Sequence, residues 1–182
     1  MMKKEQSITY KILGLDDLHS TLLKTFNRYQ ETNHVWFQEN SQYNLKADHF
    51  VEQWNDEKKA LVIHSLHNCV KAGGFVIGAF ANRELIGFSS VEGELFGRNK
   101  EYTELSYIHV SNEYRNSGVG KKMFELCCSK AKQIGAKKLY IGAHPSEETQ
   151  HFYKSVGCTF AKEMNEKIYN KEPLDIQLEY IL

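Results

Sequence analysis

The chain has 182 residues and a mass of 21.1 kDa, a size typical of a single domain. Hydrophobic residues make up 41% of it, enough for a packed core, and the 23 basic residues balance 23 acidic ones, so binding of nucleic acid through bulk positive charge is not expected. No apolar run approaches the roughly 20 residues of a membrane helix, and the polar N-terminus does not resemble a signal peptide, which predicts a cytoplasmic protein without membrane association.

The N-terminal third predicts one strand, two helices and an irregular stretch between them. Apolar residues alternate over 7–13, which is typical of a strand, and those over 18–26 have helical spacing after a capping aspartate at 16 or 17. Residues 31–46 are mostly polar and predict a loop with at most a short strand. A second helix is expected from residue 55 or 56 to the glycine pair at 73–74.

The rest of the chain predicts an α/β domain with a central mixed sheet. Two apolar runs flank Asn82-Arg83 and predict a hairpin. A strand over 102–110, a helix from Val119 to Gly135 and a strand over 136–143 predict a parallel or near-parallel unit. The remaining elements are a helix over 146–155 and strands over 157–161 and 175–182.

Cysteine and histidine spacing predicts neither a disulfide framework nor a metal site. The four cysteines, two of them adjacent, form no CxxC pair and are interpreted as small apolar residues with free thiols. His64 and His67 lie three apart on a predicted helix, but no carboxylate completes a set of ligands. No metal is expected.

A loop between a strand and a helix, residues 110–122, has the features of an anion site. Gly118 and Gly120 let the backbone approach a ligand, and the start of a helix presents free N–H groups at the positive end of its dipole. Arg115 and Lys121 add positive charge. A pyrophosphate is therefore the expected occupant.

Three phosphate-binding patterns can be compared with this loop. A Walker loop requires glycine at position 115 and serine or threonine at position 122, where this chain has Arg115 and Lys122. A dinucleotide fingerprint beginning at Gly118 requires glycine or alanine where Met123 stands. The third pattern, Arg/Gln-x-x-Gly-x-Gly/Ala, is matched in full by Arg-Asn-Ser-Gly-Val-Gly over 115–120.

This third pattern is the acyl-CoA pyrophosphate loop of the GNAT N-acetyltransferase superfamily, and the chain resembles that family over residues 75–160. The segment Phe152-Tyr153-Lys-Ser-Val-Gly-Cys resembles a second family signature, Phe-Tyr-x-x-x-Gly-Phe, and departs from it at Cys158. The resemblance implies one GNAT domain over 1–182, with a mixed, mostly antiparallel sheet flanked by helices and a splayed strand pair that binds acyl-CoA. The N-terminal third resembles the family only in the order of its elements.

The resemblance also implies the residues that bind acetyl-CoA, the expected acyl donor. The backbone of 108–110 would pair with the pantetheine amides like an added strand, and the helix start would hold the pyrophosphate. Ser146 stands where many members have an asparagine that contacts the cofactor. The residues expected to bind the cofactor are Ile108, His109, Val110, Arg115, Asn116, Ser117, Gly118, Val119, Gly120, Lys121, Ser146 and Tyr153.

Transfer of the acetyl group to an amine requires a base, because an alkyl ammonium has a reference pKa of about 10.4. Glu104 is the first candidate, at the position of the catalytic glutamate of histone-acetylating relatives. In a regular strand it would share a face with Ser106, Ile108 and Val110. Glu92 and Glu94, after the preceding strand, are the alternatives.

Tyr153 matches the family tyrosine that acts as a general acid near the CoA sulfur. His109 and His144 are further titratable groups at strand ends. The leading hypothesis is an N-acetyltransferase acting on a small molecule or a peptide amine, and the alternative is a non-catalytic acyl-CoA-binding module. Because dimers are common in the family, a homodimer is the expected assembly. Aromatic residues expected around the acceptor are Trp36, Phe37, Tyr43 and Trp54.

Overall fold

A computed structural model describes residues 7–182, and a mixed sheet organises most of them. The strands are β1 (Thr9–Leu13), β2 (Gln30–Glu39), β3 (Gln42–Glu52), β4 (Phe75–Ala81), β5 (Glu84–Val91), β6 (Tyr102–Val110), β7 (Lys138–Ala143), β8 (Thr159–Phe160) and β9 (Ile176–Ile181). The helices are α1 (Asp56–Lys71), α2 (Val119–Ile134), α3 (Glu147–Ser155) and α4 (Glu166–Tyr169).

Seven strands form the main sheet in the order β1-β4-β5-β6-β7-β9-β8. Every neighbouring pair is antiparallel except β6 and β7, which are parallel and joined by α2. The predicted mixed, mostly antiparallel sheet and its strand–helix–strand unit are therefore confirmed. The turn at Asn82 and Arg83 has positive φ at both residues, the geometry of a two-residue hairpin, as the sequence predicted.

The sheet is covered by α1 on one face and α2 on the other. Successive residues of β4 show this, since Val76 packs with Val62 and Leu66 of α1 whereas Ile77 belongs to a second cluster with Phe124 of α2. The two periodicities, 2 for strands and 3.6 for helices, thus produce two separate apolar layers. Both helices end near the predicted residues.

The parallel strands β6 and β7 separate soon after they meet. Their pairing runs from Tyr102 opposite Lys138 to Glu104 opposite Tyr140 and then stops. Beyond Glu104, no strand of residues 7–182 pairs with the β7-facing edge of β6, while its other edge remains bonded to β5. The predicted splayed strand pair is present, and it leaves a row of backbone polar groups facing a gap.

The helix predicted over residues 18–26 is wrong. A 3-10 helix (Leu15–Asp17) is followed by turns closed by i→i+3 bonds, such as Leu22 N to His19 O at 3.0 Å. Leu18, Leu23 and Phe26 are nevertheless buried. Successive three-residue turns bury nearly the same positions as a helix, so apolar spacing alone does not separate the two.

The loop predicted over residues 31–46 is also wrong. The strands β2 and β3 form a separate two-stranded sheet whose turn, at Asn40 and Ser41, has positive φ at both residues. Most side chains on both faces of this hairpin are exposed or half-buried, so the sequence lacks the alternation that marks a strand with one buried face. Trp36 N donates to Pro145 O at 2.8 Å and attaches the hairpin next to β7.

No helix within 7–182 is both long and apolar enough to cross a bilayer. In the same part of the chain, no group of three or more His, Cys, Asp or Glu side chains is placed to hold a metal ion. All four cysteines are free thiols, and burial raises the pKa of Cys127 to about 12.

Candidate active site

A cleft of about 870 Å³ opens where β6 and β7 separate. Its walls come from β6, from the loop and first turn of α2, and from α3. Two further segments close it, one around residues 28–58 and one around 168–175, which are distant from each other in sequence. The cleft is therefore assembled across the whole chain.

The loop before α2 has the backbone shape of an anion site. Asn116 has φ of 59°, and Gly118, the N-cap of α2, has φ of 83°, in the left-handed region that favours glycine. A Cβ built at Gly118 would meet no atom of residues 7–182 within 4 Å, so the space beside it is open. No side chain in the described part of the chain caps the helix, which leaves its first N–H groups to a ligand.

Positive charge adjoins this helix start. Arg115 lines the cleft half-buried, with Nε donating to Val110 O at 3.3 Å, and Lys121 lines it from an exposed position. Burial lowers the pKa of Arg115, partly offset by Glu148 and Glu113, and an arginine remains charged at any relevant pH. The site thus offers two cations and a helix dipole to an anion.

The second signature packs against the first. A Cβ on Gly120 would lie 3.2 Å from Phe152 Cε2, so glycine allows α3 to approach the start of α2. Phe152 and Tyr153 are in edge contact, with ring centroids 5.2 Å apart. The two sequence motifs, about 30 residues apart, form one wall of the cleft.

The structure brings most of the predicted cofactor residues together and leaves three out of the cleft wall. Ser117 is exposed and its Oγ donates to Tyr114 O, whereas Val119 is buried in the core under α2. Ser146 is buried as the N-cap of α3, where its Oγ accepts from Thr149 N at 3.3 Å. Those that line the cleft are Ile108, His109, Val110, Arg115, Asn116, Gly118, Gly120, Lys121 and Tyr153.

Glu104 does not share a face with Ile108 and Val110, as a regular strand predicted, because β6 contains a β-bulge at Ser106. Tyr107 lies opposite Ser90 and Leu105 opposite Val91, which leaves Ser106 as the extra residue. The extra residue reverses the alternation. Leu105, Ile108 and Val110 pack on the α2 side, and Tyr107 packs on the α1 side. Glu104 therefore shares a face with Tyr107 and His109.

Glu104 is a half-buried carboxylate in the cleft, and its nearest basic neighbour is Lys171. Its Oε1 lies 3.5 Å from Lys171 Nζ, which comes from the segment before β9. Burial raises the pKa of Glu104, Lys171 lowers it in part, and Glu92 raises it further. The carboxylate is thus a stronger base than an exposed glutamate.

The alternative bases differ in position. Glu92 lines the cleft and accepts a 2.5 Å hydrogen bond from Ser106 Oγ, which is also 2.7 Å from Ser90 Oγ. Glu94 is exposed and outside the cleft wall. A direct hydrogen bond therefore connects Glu92, and not Glu94, with the bulge residue of β6.

Tyr153 lies in the last turn of α3 and lines the cleft with only 6% of its surface exposed. Burial raises its pKa well above the ordinary value, and Cys158 and Cys127 act in the same direction. The phenol is therefore protonated at any physiological pH and can only donate a proton.

Two of the histidines that line the cleft, His109 and His144, have lowered pKa values that favour the neutral form. His109 packs against Trp54 and Phe88, with centroids at 5.0 and 5.5 Å, and burial lowers its pKa well below the usual range, with Arg28 acting in the same direction. Burial also lowers the pKa of His144, although Glu52 opposes it. Neither is placed to act as an imidazolium near neutral pH.

Several cleft residues could not be found from the sequence. Arg28, Lys171 and Asp175 line the cleft, but each stands in a segment without a motif. Of the aromatic residues expected around the acceptor, Trp54 lines the cleft, while Tyr43 stacks on Phe160 elsewhere. Trp36 and Phe37 are also outside the wall.

Comparison with solved structures shows the same fold. A nourseothricin acetyltransferase is 14% identical over 96% of this chain and 98% of its own, with a TM-score of 0.70. The PaiA N-acetyltransferase of Thermoplasma acidophilum, solved with coenzyme A, is 15% identical over 97% and 99%, with a TM-score of 0.58. A GNAT family acetyltransferase from Elizabethkingia anophelis, with acetyl-CoA bound, is 22% identical over 65% and 82%, with a TM-score of 0.51.

Comparison of the sequence itself is informative at the level of the family. Curated proteins gave no significant match. The model of the Acetyltransferase (GNAT) family matches residues 39–158, which include β6, the glycine-rich loop before α2, α2 itself and α3. This is well over half of the chain. The chain belongs to the GNAT acetyltransferase family.

Proposed function

We propose that this protein transfers the acetyl group of acetyl-CoA to a primary amine of a small molecule or peptide, by direct attack in a ternary complex. The observation that carries the proposal is that one cleft contains an unpaired strand edge, an uncapped helix start, a half-buried carboxylate and a buried phenol. Each corresponds to a separate requirement of the reaction.

The residues fit acetyl-CoA as the donor. The open space beside Gly118 and the uncapped start of α2 suit the pyrophosphate, with Arg115 and Lys121 as counter-charges. The free edge of β6 suits the pantetheine amides, because it offers backbone groups that no strand of residues 7–182 satisfies. The neighbours solved with CoA and acetyl-CoA support the same assignment. Bound there, acetyl-CoA supplies an activated thioester.

Glu104 and Tyr153 divide the proton transfers between them. Glu104, directly or through a water, takes the proton of the ammonium, after which the nitrogen forms a bond to the thioester carbon. Tyr153 donates its proton to the sulfur as the carbon–sulfur bond breaks, and the second proton lost by the nitrogen, carried directly or through water, restores the phenol. The products are an acetamide and a free thiol, and the first proton, held on Glu104, is released to solvent.

The pH dependence of the rate tests the role of Glu104. The base must be ionised, so kcat/KM falls as the pH drops through its pKa, and the raised pKa moves that fall toward neutral pH. Glu104→Gln should lower kcat on the order of 100-fold and remove this acid limb. Glu94→Gln, at an exposed carboxylate outside the cleft wall, is the control. An unchanged acid limb in Glu104→Gln would shift the assignment to Glu92.

The first experiment is calorimetric titration with acetyl-CoA, followed by thiol release on a panel of primary amines. One site per chain and thiol release that depends on the amine are the expected results. Tight binding with no release from any amine would instead identify the non-catalytic acyl-CoA-binding module. No binding at millimolar acetyl-CoA would contradict both functions.

A further inference from the structure

An arginine is buried in the wall of the cleft, and its guanidinium is incompletely hydrogen-bonded within residues 7–182. Arg28 is only 8% exposed, and it precedes β2. Neither its Nε nor its Nη1 has a hydrogen-bond partner among residues 7–182, and no carboxylate of that range forms an ion pair with it. Its Cζ lies over the ring of Trp54, 5.5 Å from the centroid. Because a guanidinium remains charged when buried, this arrangement calls for an anion.

The acidic residues around Arg28 attract it through space without forming an ion pair with it. Glu52 Oε2 lies 3.7 Å from Nε2 of the neutral His144 and is itself buried without a hydrogen-bond partner among residues 7–182, and Glu148 is exposed. Burial lowers the pKa of Arg28, Glu52 and Glu148 raise it in part, and Arg115 acts in the same direction as burial. The two carboxylates thus attract the guanidinium from a distance, but its Nε and Nη1 have no acceptor among residues 7–182.

Arg28 lies on the side of β6 that carries the proposed base. The ring of Trp54, on which it stacks, is 5.0 Å from that of His109, and His109 shares the face of Glu104. Between Glu104 and His109 the strand advances about 13 Å, since the extra residue of the bulge adds little length. An acceptor that reaches both places must carry its amine at one end and an anion several bonds away.

We propose that the amine acceptor carries a carboxylate and that Arg28 binds it, an inference that rests on the transferase function proposed above. The substrate class is then an amino acid whose reacting amine is several bonds from the carboxylate. A singly charged carboxylate fits better than a phosphate, because Glu52 and Glu148 would repel a second negative charge. The flat guanidinium, held against Trp54, also suits a planar anion.

Matched amines test the proposal on the unmodified protein. We would compare 6-aminohexanoate with hexylamine and lysine with cadaverine, since each pair differs in the carboxylate and changes the basicity of the distal amine little. The member with the carboxylate should have a kcat/KM at least about tenfold higher. Equal values within both pairs would overturn the proposal and leave the transferase function standing. No thiol release from any amine, with acetyl-CoA bound, would overturn the transferase function and this inference with it.

Two variants test whether Arg28 causes the preference for an acceptor with a carboxylate. Arg28→Gln should abolish the preference by lowering kcat/KM for 6-aminohexanoate about tenfold or more, with hexylamine and the Kd of acetyl-CoA unchanged. Lys58→Gln removes one positive charge from an exposed position of the cleft and should retain the preference. An equal loss in both variants would mean that bulk charge, and not Arg28, selects the substrate. Weaker acetyl-CoA binding in Arg28→Gln would assign Arg28 to the donor. If Arg28→Gln does not fold, Arg28→Lys and the wild-type amine pairs decide.

Discussion

Single residues in the cleft have properties that their chemistry and burial explain together. Gly118 is required in two respects, since its φ of 83° excludes most side chains and the space beside it is where the anion would lie. Tyr153 and Glu104 both have raised pKa values because burial penalises their charged forms. Burial therefore keeps the proposed acid protonated and makes the proposed base stronger.

The role of Gly118 can be separated from its backbone strain with a second glycine. Gly73 has the same φ of 83° and the same open surroundings, but it lies outside the cleft wall. Valine at either position should cost about 1–3 kcal/mol of stability. Only Gly118→Val should weaken acetyl-CoA binding, by more than about tenfold, measured by calorimetry. Similar affinities in both variants would remove the loop from the binding site.

Removal of the Tyr153 hydroxyl tests the proposed acid. Tyr153→Phe should lower kcat about 100-fold with an unchanged Kd for acetyl-CoA, since the ring and its packing remain. Tyr43→Phe removes a hydroxyl outside the cleft wall and is the control for stopped-flow and steady-state assays. A fall in affinity with kcat unchanged would make Tyr153 a structural residue.

At the scale of elements, close packing of backbones fixes where the strands lie relative to the helices. The segment after α1 contacts the segment after β5 so closely that a Cβ on Gly93 would lie 2.3 Å from Ala72 O and 2.7 Å from Gly73 C. Gly93 directly follows Glu92, so this contact also positions a carboxylate of the cleft. The bulge at Ser106 has a similar effect on β6, because it turns Glu104 to the α1 side.

Gly93→Ala should therefore destabilise the fold by about 3 kcal/mol, because main-chain atoms of the facing segment cannot move aside as side chains can. The measurement is the free energy of unfolding in urea. Gly14→Ala is the control, since its φ is −87° and its Cβ would meet only Asp17 Oδ2, at 3.8 Å. A loss of less than about 1 kcal/mol at position 93 would show that the two segments separate easily.

At the scale of the whole molecule, the cleft is completed by segments outside the part matched by the family profile. Arg28 comes before residue 39, and Lys171 and Asp175 come after residue 158. These segments place several charged side chains together in the partly buried cleft. Burial raises the pKa of Asp175 to about 6, with Glu172 and Glu52 adding to the effect.

The free energy of unfolding of the whole protein should depend on pH because Asp175 is buried. Between about pH 4 and 6 the folded state holds a proton on Asp175 that the unfolded state releases, so stability falls as the pH rises through this range. Asp175→Asn should match the wild type at pH 4 and exceed it by about 1–3 kcal/mol at pH 7 in urea unfolding. Asp48→Asn, at an exposed site of β3, should show no such pH-dependent difference. A constant difference at both pH values would point to packing.

The sequence predicted those features whose signals are local. The hairpin at Asn82, the parallel strand–helix–strand unit and the glycine-rich loop each follow from a few neighbouring residues. The strands β2 and β3 were missed because their exposed faces carry no alternation, and residues 18–26 were misassigned because turns and helices bury similar positions. A local pattern of apolar residues distinguishes neither an exposed strand from a loop nor successive turns from a helix.

By itself, the sequence determined that this chain belongs to the GNAT acetyltransferase family and has a glycine-rich loop before a helix, since the motif over 115–120 and its flanking strand and helix are contiguous. Only the tertiary structure decided which face Glu104 occupies, because a bulge depends on register with the partner strand β5. It also decided that Arg28 is buried in the cleft wall, where its Nε and Nη1 have no hydrogen-bond partner among residues 7–182. Burial and register depend on residues far away in the chain, and no local pattern encodes them.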